Sequence, residues 1–137
     1  MKAVLDANVL FRTLISSGEI LEIIFNDKLQ LFAPLKLKQE FLKNEKEILS
    51  KSKLSKEEFK LLSSLILNKI EFVPLKKYKS FIPKAKQLLK EHPKDEEFVA
   101  LSLFEKSPLW TYESRLFEIG VSISTKQLSE KLAKESS

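Results

Sequence analysis

Acidic residues that could share a cation mark this chain at four separated places. Of its 19 acidic residues only three are Asp, at positions 6, 27 and 95. Asp6 follows the apolar run Ala3, Val4 and Leu5. It precedes Ala7, Leu10, Phe11 and Leu14, which recur at helical spacing. A short continuous apolar run suits a strand buried on both faces, so Asp6 falls where that strand ends and a helix begins. Asp95 opens a strongly apolar segment that reaches Lys106. Glu113 stands two residues past Thr111, after the apolar run that starts at Leu109. Glu40 lies about two turns into a segment that starts near Pro34.

Each acid has an ordinary role available. Asp6 and Asp95 could cap helices, Glu113 could favour a helix N-terminus, and Glu40 could be a solvated helix residue. Asp27 precedes the second strand, at the opposite edge of the fold, and is read as structural. Four carboxylates at one edge would repel and hold their protons more tightly unless a cation sat among them. Oxygen-only ligands suit Mg²⁺ or Mn²⁺.

Other chemistries are poorly supplied. The absence of Cys excludes disulfides, thiolate metal sites and thiol nucleophiles. His92, the only histidine, sits beside Pro93 in a loop and supports no Ser-His-Asp set. Gly18 and Gly120 stand alone, so there is no Gly-rich phosphate loop. A phospho-receiver would want an Asp after the third strand, where Val73-Pro74-Leu75 has none. An aspartyl-phosphate phosphatase would want a second Asp at position 8, where Asn8 stands.

The elements that must position these acids alternate between short apolar strands and helices. Ser16-Ser17-Gly18 breaks the first helix from a second over Glu19 to Asp27. Leu29 to Ala33 is a strand, and Pro34 starts a helix reaching about Ser50. Ser55 with Glu58 forms a capping box for a helix through Ile66. Ile70 to Pro74 is a strand. Tyr78 to Glu91 is helical with an interruption at Pro83, and Asp95 to Lys106 is a further helix. Leu109 to Thr111 is a strand, and a short helix at Leu116 and Phe117 ends at Gly120. Val121 to Ser124 is a fifth strand, after which Thr125 caps a helix to about Lys134. This order predicts one α/β domain: a three-layer α/β/α fold around a central, mostly parallel five-stranded sheet. Helix N-termini and strand C-termini then share one edge, the edge at which open α/β sheets bind ligands. Asp6, Glu40, Asp95 and Glu113 all fall there.

The net charge of +5 is concentrated in one stretch. Residues 69–94 carry eight Lys against Glu71 and Glu91, a net of +6, whereas the remainder carries 16 basic and 17 acidic residues. Such a run is either a solvated face or a phosphate-tracking patch, with Lys76, Lys77 and Lys79 as its candidates. No stretch approaches the ~18 apolar residues of a membrane span. The N-terminus lacks the layout of a signal peptide, and a cytoplasmic location is expected.

The ordered set of motifs resembles a PIN domain over nearly the whole chain. LDANVLF at 5–11 resembles the opening motif, and APLKLKQEFLK at 33–43 the helix carrying the second acid. KDEEFVALSL at 94–103 is similar to the third motif. LWTYESRLFEIGVSIST at 109–125 is similar to the fourth motif with the closing strand. The resemblance implies Asp6, Glu40, Asp95 and Glu113 as catalytic acids, with Asp6, Asp95 and Glu113 among the ligands of Mg²⁺ or Mn²⁺. It also implies a supporting Asn8 that steadies Asp6, and Thr111 as the hydroxyl before the last acid. The implied activity is RNA cleavage by a metal-activated water. Implied partners are RNA, an antitoxin protein and a second copy in a homodimer. The alternative is a degenerate PIN-like module that binds RNA or a protein without cutting. Two departures favour it: Glu113 stands where the pattern has Asp, and Arg115 stands where related sequences often carry a further Asp.

Overall fold

Lys2–Leu5 forms the first strand, β1, in the computed structural model, which describes residues 1–15, 18–90 and 93–136. Ala3, Val4 and Leu5 are fully buried, as a strand covered on both faces requires. The other strands are β2 (Gln30–Pro34), β3 (Ile70–Val73), β4 (Leu109–Trp110) and β5 (Ser122–Ile123). All pair in parallel, in the order β3-β2-β1-β4-β5.

Helices α1 (Ala7–Ile15) and α2 (Glu19–Ile24) connect β1 to β2. Helices α3 (Leu35–Lys43), α4 (Glu45–Lys51) and α5 (Lys56–Lys69) lead on to β3. Both crossovers move the same way across the sheet, so right-handed connection puts them on one face. The return from β3 to β4 crosses β2 and β1 and therefore lies on the other face. It comprises α6 (Leu75–Tyr78), a 3₁₀ turn (Lys79–Phe81), α7 (Ile82–Leu89), a second 3₁₀ turn (Pro93–Asp95) and α8 (Glu96–Glu105). Five consecutive residues of α8, Phe98 to Ser102, are buried. A helix apolar on all sides must be covered on all sides, and α8 lies against β1, β2, β4 and α7. After β4 come α9 (Ser114–Glu118) and, beyond β5, α10 (Thr125–Ser136), which packs on α2. The fold is thus the expected three layers, with a sheet parallel throughout.

The elements differ from the sequence reading at several ends. The helix expected from Pro34 to Ser50 is two helices, broken at Asn44, whose backbone (φ −105°, ψ 14°) leaves the helical region. Pro34 is the last residue of β2, paired with Val73, rather than the first of α3. Pro83 does not interrupt a helix: it sits in the first turn of α7, where a missing N–H costs nothing. Asp95 belongs to the 3₁₀ turn before α8, and Thr111 lies just beyond β4. Thr125 is not the cap of α10. Ser124 and Gln127 form a reciprocal box instead: the Gln127 N–H donates to Ser124 Oγ at 3.1 Å, and the Ser124 N–H to Gln127 Oε1 at 2.9 Å. The box at Ser55 and Glu58 forms as read. The break at Ser16-Ser17, and the loop expected at His92, lie outside the described residues.

Candidate active site

The first two strands to meet the site are β1 and β4. Leu5 is paired with Trp110, and the Asp6 N–H donates to the Trp110 carbonyl at 3.0 Å, so Asp6 and Thr111 emerge side by side. Chain direction across the sheet reverses here: β2 lies on one side of β1 and β4 on the other. This is the switch point where an open α/β sheet leaves a crevice at its carboxyl edge.

Asp6 is 4% exposed. Its carbonyl accepts the first turn of α1, from the N–H groups of Val9 and Leu10. Its carboxylate is held at both oxygens: Oδ1 accepts the Ala7 N–H at 2.9 Å, and Oδ2 accepts the Thr111 hydroxyl at 2.6 Å. Burial pushes the Asp6 pKa above the ordinary carboxylate value. The bonds from Thr111 and Ala7 pull it back in part, and the negative charges of Asp95 and Glu113 push it up further. The Thr111 oxygen in turn accepts the Glu113 N–H at 3.0 Å, so one hydroxyl ties the first acid to the loop carrying the last.

Asp95 precedes α8 but makes no side-chain cap bond. Its carboxylate, 14% exposed, accepts instead from Arg115 Nη2 at 3.1 Å. Glu113, more open at 45%, lies with Oε2 at 3.5 Å from Arg115 Nε. The structure thus brings Asp6, Asp95 and Glu113 together, with the Arg115 guanidinium joining the latter two. Glu40 is exposed, and its carboxylate has no hydrogen-bond or ion-pair partner among the described residues. Asn8 makes no hydrogen bond to Asp6 among them, and its Oδ1 is buried without a partner.

Lys76 and Lys77 on α6, and Lys79 just after it, are exposed. They follow β3, two strands from β1, or about 10 Å at ordinary strand spacing. Sequence reasoning missed what anchors them. Tyr78, fully buried, donates its hydroxyl to Glu97 Oε1 at 3.0 Å. The other Glu97 oxygen pairs with Lys36 of α3 at 3.4 Å. The short helix bearing the lysines is thereby pinned to the start of α8, beside Asp95. A Tyr within a Lys run was the available signal.

The donor set fits a divalent cation in kind. It consists of hard carboxylate oxygens, one buried and destabilised by its neighbours' charge, with an orphaned acceptor on Asn8 two residues away. The side chains as arranged do not form a ready cage: among the described residues no group of three or more His, Asp or Glu is set to hold a metal ion.

A PIN-domain family model matches residues 4–133, nearly the whole chain. No curated protein matches. The chain belongs to the PIN domain family, and its fold is of the nuclease type. The fold of five parallel strands between helical layers and the family match agree. No described helix is long and apolar enough to cross a membrane.

Proposed function

We propose that the protein is a Mg²⁺- or Mn²⁺-dependent endoribonuclease. The observation that carries this reading is the meeting of Asp6, Asp95 and Glu113 at the switch point between β1 and β4, with the Asp6 pKa raised chiefly by burial and further by the charges of the other two. Family membership supports nuclease chemistry. Asp6, Asp95 and Glu113 would hold the ion, and Glu40 joins them in the family pattern. When bound, such an ion lowers the pKa of a water and neutralises charge on phosphoryl oxygens.

The chain's own residues do the rest. Thr111 fixes the Asp6 carboxylate through one oxygen, and Ala7 fixes it through the other. Burial excludes water from that carboxylate, which strengthens its interaction with a cation. Lys76, Lys77 and Lys79 hold successive phosphates of the RNA backbone and keep the strand along the carboxyl edge.

A second reading, a PIN-like module that binds RNA or a protein without cutting it, draws on the ion pairs of Arg115 with Asp95 and Glu113. A panel of single-stranded and structured RNAs separates the two. Cleavage that needs Mn²⁺, stops with chelator and is lost in Asp6→Asn supports the nuclease. Binding without cleavage in every case supports the module. An antitoxin-like protein and a second copy of the chain remain the proposed partners.

A further inference from the structure

The positive charge of this chain is almost all Lys. Its two arginines are Arg12 and Arg115, and both meet the loop that follows β4. Arg115 is held by Glu113 of that loop and by Asp95. Arg12, on α1, lies over the face of Tyr112, its Cζ 4.2 Å from the ring centre. Tyr112 stands between Thr111, which binds Asp6, and Glu113. We propose that Arg12, seated on Tyr112, is a binding fork for a backbone phosphate of the RNA, on the side of the acids away from Lys76, Lys77 and Lys79. This deepens the reading given above and rests on RNA being what the site takes.

Three features carry it. First, the donors of Arg12 are available. The residue is exposed, and apart from the ring its guanidinium makes no hydrogen bond or ion pair among the described residues. A guanidinium that rests a face on an aromatic ring keeps its N–H donors at its edges, in the geometry that takes two phosphate oxygens at once. Second, the seat is fixed. Trp110, fully buried, donates its Nε1–H to Thr125 Oγ1 at 3.0 Å, and that hydroxyl donates to the Tyr112 oxygen at 3.1 Å. The ring is thus tied to β4 and to the start of α10, so an arginine placed on it has less freedom to lose when it takes a ligand. Third, its position complements the lysines. Carboxylates repel a phosphate, so a strand drawn across them needs a cation on each side. β4 lies across β1 from β3, so Tyr112 and the lysines flank the end of β1, where Asp6 stands. Three strand spacings, about 14 Å, separate the ends of β3 and β4, a span that a few nucleotides cover.

Fluorescence anisotropy of a labelled single-stranded RNA of mixed sequence tests this, with the full chain and with chelator present so that nothing is cut. Arg12→Gln should bind on the order of tenfold more weakly, as the loss of a charge-assisted hydrogen bond does. Its salt slope should be shallower by about 0.7, one phosphate contact on a single strand. Arg12→Lys keeps the charge but not the planar fork, so its slope should stay that of wild type while its affinity falls part of the way. Arg12 is exposed, so both variants should stay folded, and the Lys variant serves if the Gln variant does not. Wild-type affinity in Arg12→Gln, or a loss with an unchanged slope, overturns the proposal while leaving the RNA reading intact. Wild-type affinity in Arg12→Lys overturns the fork. A wild type that binds no RNA overturns the RNA reading itself, and the proposal with it.

Discussion

The Thr111 hydroxyl donates to Asp6 Oδ2 at 2.6 Å, across 105 residues of sequence and between adjacent parallel strands. Because the same oxygen accepts the Glu113 N–H, its single proton is committed to Asp6. The bond therefore reports whether the β1 and β4 ends are held as one unit. Thr111→Val keeps the shape and removes the bond. It should cost about 2 kcal/mol, the range for hydrogen bonds to charged groups. Thr111→Ser should cost much less. Urea unfolding of both variants measures this, and a larger loss in Thr111→Ser than in Thr111→Val would mean that the methyl group, not the hydroxyl, matters.

Asp6 makes stability depend on pH. Its folded pKa lies above 3.8, chiefly because of burial. The folded state therefore binds this proton more tightly than the unfolded chain does. The group's contribution is most favourable below 3.8 and is lost as pH rises through the folded pKa. Asp6→Asn removes that dependence. With chelator present, its stability relative to wild type should grow as pH rises from about 4 and level off above the folded pKa. A difference that is flat with pH would contradict the buried, charge-destabilised carboxylate.

The capping box of α5 is a control away from the site. Ser55→Ala should cost about 1 kcal/mol by thermal or urea unfolding. The bond from the Ser55 backbone N–H is the main cause of the lowered Glu58 pKa. That contribution is present above the unfolded value of 4.5 and is lost as pH falls through the folded one. A Ser55→Ala cost near zero would indicate that α5 is held by packing alone.

The lysines after β3 should govern salt dependence. Neutralising Lys76, Lys77 and Lys79 together should weaken RNA binding and flatten its salt slope by about 0.7 per lost contact on single strands. Filter binding from low to moderate salt tests this. An unchanged slope would make them a solvated face.

Local signals made most of the fold legible. Ala3-Val4-Leu5 followed by Asp6 is a buried strand ending in a polar residue, and β1 is built that way. The Ser55 and Glu58 box was readable because its partners lie three residues apart. The same signal was available at Ser124 and Gln127, yet Thr125 one residue on competes for it. The Thr125 hydroxyl is engaged elsewhere, accepting from Trp110 Nε1 at 3.0 Å. Pro83 carried a helix-start signal as much as a helix-break one, and local sequence does not separate the two. The nearness of Asp6, Asp95 and Glu113 followed from topology, since strand ends and helix starts share an edge. The bridge from Arg115 to Asp95 did not. It spans 20 residues and depends on how α9 is turned against α8, which no periodicity encodes.

The measurement closest to the central claim is Mn²⁺-dependent cleavage of single-stranded RNA by wild type, Glu113→Asp and Glu113→Gln. Glu reaches about 1.5 Å further than Asp, one C–C bond. A shift of that size in a positioned site can cost ~100-fold. In a site built around Glu, wild type should cleave, Glu113→Asp should be slower by up to about that factor, and Glu113→Gln should have no metal-dependent activity. Full wild-type cleavage by Glu113→Gln would remove Glu113 from the site, and no cleavage by any of the three would contradict the nuclease reading.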